Sequence, residues 1–155
     1  MTNSVPRTVV EAFYEVYAAR DIDRVAPFLD DDVEWIISGP VDVLPFCGRR
    51  RGKAAVLDLM RRVVPEVFDI YNFVVDTMVI DGDRVATFNR LSARVGGDGR
   101  VISYQLAHFM RFRGGKVVEN LSLIDSFDAA EQVLGRRIML VPELPERADD
   151  DLVAI

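Results

Sequence analysis

The single histidine of the chain, His108, lies in the run RVISYQLAHFMRF. If that run is a strand, Tyr104, Leu106, His108, Met110 and Phe112 share one face, because strand side chains alternate with period two. By the same alternation Phe88, Arg90 and Ser92 share a face of RVATFNRLSARV, and Leu121, Leu123 and Asp125 one of KVVENLSLIDSF. Trp35 and Ile37 share one in VEWIIS. Should these faces surround one cavity, its wall is apolar and carries only Asp125, His108, Arg90, Tyr104 and the indole N–H of Trp35. Such a wall suits a hydrophobic small molecule. Burial raises the pKa of Asp125, while Arg90 or a charged His108 lowers it, which describes a workable general base. His108 or Arg90 then stabilises developing negative charge. The same residues also admit plainer roles. Arg90 with Asp125 can be a structural ion pair, and His108 a hydrogen-bonded core histidine. Trp35, Tyr104, Phe88, Met110 and Leu123 can be wall and nothing more.

Other chemistries fit less well. One histidine cannot supply the usual metal-ligand set, and no organic cofactor is implied. Cys47 is the only cysteine, so no intramolecular disulfide can form, and a lone cysteine is usually a small buried hydrophobe. Gly96, Gly97 and Gly99 stand between two strand candidates and read as a hairpin turn rather than a dinucleotide fingerprint. Asp30-Asp31-Asp32 lacks the alternation and glycine of a calcium loop and reads as a solvated turn. The net charge of −6 disfavours a nucleic-acid partner. Arg49-Arg50-Arg51 is expected to be solvent-exposed at the mouth of the cavity. No signal peptide or membrane span is legible, so a cytoplasmic protein is expected.

At 155 residues and 50% apolar composition, one domain is expected. Val9, Val10, Phe13, Val16 and Tyr17 predict a first helix, and Ile22, Val25, Phe28 and Leu29 a second. VEWIIS predicts a strand, residues 39–52 a Gly- and Pro-rich loop, and KAAVLDLMRRVVPEV a third helix ending or kinking at Pro65. Four long strands follow, the last reaching Phe127, separated by Asp81-Gly82-Asp83, Gly96–Gly99 and Gly114-Gly115. Short connections imply an antiparallel meander. The fold class is therefore α+β: a strongly curved sheet closed by three helices into a cone whose open end is a pocket. Residues 1–134 form the cone. The tail 135–155 is expected to pack on the domain or on a partner subunit through Ile138, Leu140, Val141 and Leu144.

Three stretches carry a family resemblance: FYEVYAARDIDRVAPFLDDDVEW, EWIISGPVDVLPFCGRRRGKAAV and HFMRFRGGKVVENLSLIDSFD. Across Ala12–Leu134 the chain resembles SnoaL-like polyketide cyclases, ketosteroid isomerases and limonene epoxide hydrolases. The resemblance implies the cystatin-like, nuclear transport factor two-like cone, with a mixed sheet. In the isomerases a first-helix Tyr and a first-strand Asp do the chemistry. Phe13 and Ile37 fall at those places and cannot transfer protons, while the isomerase oxyanion-hole acid falls at His108. In the cyclases the acid/base is an Asp nine residues after the Lys of the last hairpin, which from Lys116 is Asp125. The hydrolases imply Arg90 with Asp125, although Ser92 replaces their second acid.

Two classes of function follow. One is a cofactor-independent isomerase/cyclase-type enzyme using Asp125, or an epoxide-hydrolase-like one using Arg90 and Asp125. The other is a non-catalytic module for an apolar ligand; an assembly scaffold is a third option. One sheet face lacks helices, and its expected outward residues Val101, Ala107, Phe109 and Ile124 predict a homodimer.

Overall fold

A computed structural model describes residues 4–139 of the chain. Helix α1 (Arg7–Ala18) buries Val10, Phe13, Tyr14 and Val16, a stripe at three- and four-residue spacing. Its C-terminus is a Schellman motif. The Asp21 N–H donates to the Val16 carbonyl at 3.1 Å and the Arg20 N–H to that of Tyr17 at 3.1 Å, with Arg20 left-handed at φ 57°. Glycine normally fills that position, and an L-residue there costs about 1 kcal/mol or more. Asp21 then caps the short helix α2 (Ile22–Val25), accepting from the Arg24 N–H at 3.2 Å.

A 3₁₀ turn, Ala26–Phe28, leads into β1 (Leu29–Ser38). The acidic triplet expected as a turn is the start of that strand, with Asp31 and Asp32 exposed. The expected 39–52 loop ends in a further strand, β2 (Gly48–Arg51), antiparallel to β1. The Arg50 guanidinium donates to the carbonyls of Pro45, Phe46 and Cys47 at 3.0, 2.9 and 2.6 Å, pinning the loop, and Arg49 pairs with Glu34 at 3.0 Å.

Helix α3 (Lys53–Asp58) widens into a π turn, Leu59–Val63, and closes as α4 (Val64–Val67), with Pro65 in its first turn. The meander follows: β3 (Phe68–Asp81), β4 (Arg84–Val95), β5 (Val101–Arg113) and β6 (Lys116–Ile124). All four pair antiparallel, and β1 returns parallel to β6, giving the mixed order β2-β1-β6-β5-β4-β3. The core lies between the sheet's inner face and helices α1 and α3–α4, around Phe13, Trp35, Leu59, Phe68 and Phe112.

The last strand is shorter than its sequence suggests. It ends at Ile124, and helix α5 (Ser126–Leu134) follows, with Gly135 left-handed at φ 70° as its stop. Gln132 holds α5 to β5, its side chain accepting from the Ser103 N–H at 2.8 Å and donating to the Ser103 carbonyl at 2.7 Å. Of the tail residues expected to pack, only Ile138 is among those described. It is half-buried, and its N–H donates to Glu131 Oε1 at 2.8 Å.

Candidate functional site

The cone holds a cavity of about 40 Å³ lined by Tyr17, Trp35, Ile37, Tyr104, His108, Ser122 and apolar side chains from α3–α4 and the sheet. It adjoins a groove of about 280 Å³, and Arg20, Met60, Val64, Phe68 and Ile70 line both. The π turn brings Leu59 and Met60 together to this wall, as wide turns often do beside sites. An engineered apolar cavity needs about 150 Å³ to admit benzene, so a ligand here must keep part of its bulk in the groove.

At the cone's base is a polar row set by strand register. Thr87 on β4 and Ser122 on β6 lie directly opposite His108 on β5. His108 is 1% exposed and walled by the rings of Tyr14, Tyr17, Trp35 and Phe73, whose centroids lie 5.7–6.4 Å away. Burial alone pushes its pKa down to about 3, so the imidazole is neutral. Its Nδ1 is 3.0 Å from the Tyr14 hydroxyl, which is 2.7 Å from Thr87 Oγ1, which accepts from Asn89 Nδ2 at 2.9 Å. With the Asn89 amide placed to donate to Thr87, both hydroxyl protons stay within this chain if Thr87 donates to Tyr14 and Tyr14 to His108 Nδ1. That assigns the remaining proton to Nε2. Among the described residues His108 Nε2 is buried without a partner, as are the amide oxygens of Asn89 and Asn120. An unpaired buried donor costs about 1–3 kcal/mol, a cost that a ligand acceptor would relieve.

Among the expected site residues, His108, Tyr104, Trp35 and Ile37 line the cavity. Phe13 and Met110 are buried but not part of its lining. Asp125, Arg90, Phe88 and Leu123 are corrected. Asp125 is an exposed N-cap of α5, accepting from the Asp128 N–H at 3.4 Å. Arg90 forms a bidentate pair with Asp76 on the outer face, at 2.7 and 2.9 Å, not with Asp125. Phe88 and Leu123 are exposed there too, while Ile124, expected outward, lines the cavity. The reason on β6 is a bulge. Phe112 faces Val117 but Arg111 faces Glu119, so Val118 is an extra residue and every later side chain changes face. Asn120 and Ser122 therefore point inward in place of Leu121 and Leu123.

Tyr14, Tyr17, Arg20, Thr87, Asn89 and Ser122 were not singled out by sequence. For the tyrosines a signal existed, since Tyr14 is four residues after Val10 and three before Tyr17 on one helical face. Arg49, Arg50 and Arg51 do not line the cavity. Among the described residues no carboxylate lines it either, and no three His, Cys, Asp or Glu side chains converge as metal ligands. No helix among them is long and apolar enough to cross a membrane. The arrangement can hold an apolar body and offer it a few hydrogen-bond donors, His108 Nε2 and Arg20 among them. It has no evident strong base.

Residues 10–120 match the SnoaL-like domain. A candidate isomerase from Rhodopseudomonas palustris is 34% identical, with 82% of this chain and 93% of that one covered at a TM-score of 0.71. TerC, crystallised with polyporic acid, is 21% identical over 82% and 96% of the two chains, TM-score 0.73. A nuclear transport factor two-like protein from Burkholderia xenovorans LB400 is 24% identical over 80% and 92%, TM-score 0.66. No curated protein matches the chain. The last two likenesses establish the fold alone. With the match covering most of the cone, the chain belongs to the SnoaL-like domain family, on the nuclear transport factor two-like fold.

Proposed function

We propose that the protein binds an apolar small molecule in the cone and hydrogen-bonds its carbonyl or hydroxyl oxygen through His108 Nε2. The observation that carries this reading is the unpartnered Nε2 of a neutral imidazole inside an aromatic wall. A donor held there lies in an apolar wall and is fixed by the Tyr14–Thr87–Asn89 chain behind it. A cofactor-independent isomerase/cyclase-type reaction is the second reading, supported by the 34% identity to the candidate isomerase. In it His108 Nε2–H polarises a carbonyl, a role in which a neutral imidazole serves better than as a base of such low pKa.

Cyclohexanone separates the two readings. Binding should perturb the fluorescence of Trp35, the only tryptophan, and shift the His108 Nε2 resonance. His108→Leu should weaken binding about tenfold, the value of one hydrogen bond to a buried donor. No perturbation of either signal at saturating ketone would sink the binding reading. Deuterium entering the α-carbon in heavy water faster than in a His108→Leu control would favour the enzyme reading.

A further inference from the structure

Arg20 stands where the cavity and the groove meet, and lines both. Its guanidinium carbon lies over the Tyr17 ring, 5.3 Å from the centroid. It is half-buried, and among the described residues it forms no ion pair with any carboxylate. The groove's other charged residues differ. Arg61 is engaged by Asp23, and Asp69 is exposed and makes no ion pair with Arg20. Arg20 also occupies the left-handed position of the α1 stop, where glycine is the relaxed choice. A costly backbone position thus holds a cation at the lip of an apolar pocket in a chain of net charge −6.

Resting on the reading that the cone binds small molecules, we infer that its ligand is an amphipathic carboxylic acid, with the carboxylate against Arg20 and its apolar body in the cone, where a carbonyl or hydroxyl oxygen at the far end meets His108 Nε2. The geometry suits this order. The roomier groove accepts the hydrated head, and the narrow cavity takes the slimmer tail. The Arg20 guanidinium lies over the Tyr17 ring and is drawn to the Tyr17 hydroxyl, and its remaining N–H groups can meet a carboxylate.

Octanoate and 1-octanol are suitable probes, measured by calorimetry at neutral pH. A pocket without a cation prefers the alcohol, because a carboxylate loses more on leaving water. Here octanoate should bind about tenfold tighter than octanol, the preference should shrink at high salt, and Arg20→Gln should lower octanoate affinity about tenfold. Arg20→Lys should restore part of it. Octanol binding as tightly as octanoate, or Arg20→Gln leaving octanoate affinity unchanged, overturns the carboxylate proposal while the cone remains a binding site. Loss of both ligands together in Arg20→Gln assigns Arg20 a packing role and overturns it as well. Binding of neither probe to the unaltered protein removes the pocket reading and this inference with it.

Discussion

His108 is worth following in detail because its environment has a measurable cost. Its pKa falls from about 6.5 in an unfolded chain to about 3 in the cone. Between those values the unfolded state binds a proton that the folded state refuses. Stability is therefore whole above pH 6.5 and is lost as pH falls toward 3. At pH 5 the loss amounts to about 2 kcal/mol relative to pH 7.5. The neighbours that could complicate this, Tyr14 and Tyr17, have pKa values pushed up by burial and stay neutral across the range. Urea denaturation of the wild type and His108→Gln at pH 5 and 7.5 checks it. The acid-induced drop should be smaller in the variant by about 2 kcal/mol, and an equal drop in both would show that His108 is not held neutral. His108 was legible in the sequence because an odd polar residue interrupts an apolar strand face. Its partners were not, since Thr87, Asn89 and Ser122 look like ordinary solvent-facing strand residues until the register places them inside.

At the scale of elements, alternation gave two strand faces correctly and two inverted. β1 and β5 follow the rule that apolar residues point inward. On β4 the inner face holds Val85, Leu91 and Ala93 beside Thr87 and Asn89, while the outer face holds Arg84, Arg90 and Arg94 beside Phe88, so one aromatic pointed to the wrong side. On β6 Asn120 and Ser122 lie inside and Leu121 and Leu123 outside. The nine residues from Lys116 to Asp125 also run through the bulge at Val118, which no count along the chain can detect. Helix α5 was missed for a related reason: Asp125-Ser126-Phe127 continues the strand's alternation, yet Asp125 followed by Asp128 is also a helix-start signal. The placement of Asp125 makes a prediction of its own. Asp125→Ala should cost about 1 kcal/mol in thermal or urea unfolding through loss of the cap, and Asp125→Asn almost nothing, since Asn caps equally well. Neither should alter cyclohexanone binding. A variant that unfolds normally but loses the ligand would return Asp125 to the pocket.

For the whole molecule the outer sheet face is the remaining question, and register makes it specific. Val79, Ala86, Phe109, Leu121 and Ile36 are successive cross-strand neighbours over β3, β4, β5, β6 and β1. Phe88, Ala107 and Leu123 form a second row beside them. Phe109 is 48% exposed and Leu123 45%, and among the described residues no helix covers either row. One flank is the charged row Asp81, Arg84, Arg111, Glu119 and Glu34, which carries both signs and so can meet a copy of itself. We propose that a second copy of this chain covers the face in a twofold homodimer. A band of that width would otherwise be unusual on a monomer. Light scattering at micromolar concentration should give twice the chain mass of 17.4 kDa. Phe109→Glu places a charge in the centre of the band twice per dimer. At about 2 kcal/mol for each central aromatic, it should weaken association by about a thousandfold and leave a folded monomer, since Phe109 lies outside the core. Ligand binding in the cone should survive, because its lining comes from the opposite face of the sheet. A wild-type chain that scatters only as a monomer would remove the dimer, and a Phe109→Glu variant that remains dimeric would place the interface elsewhere; either leaves the apolar band without its partner.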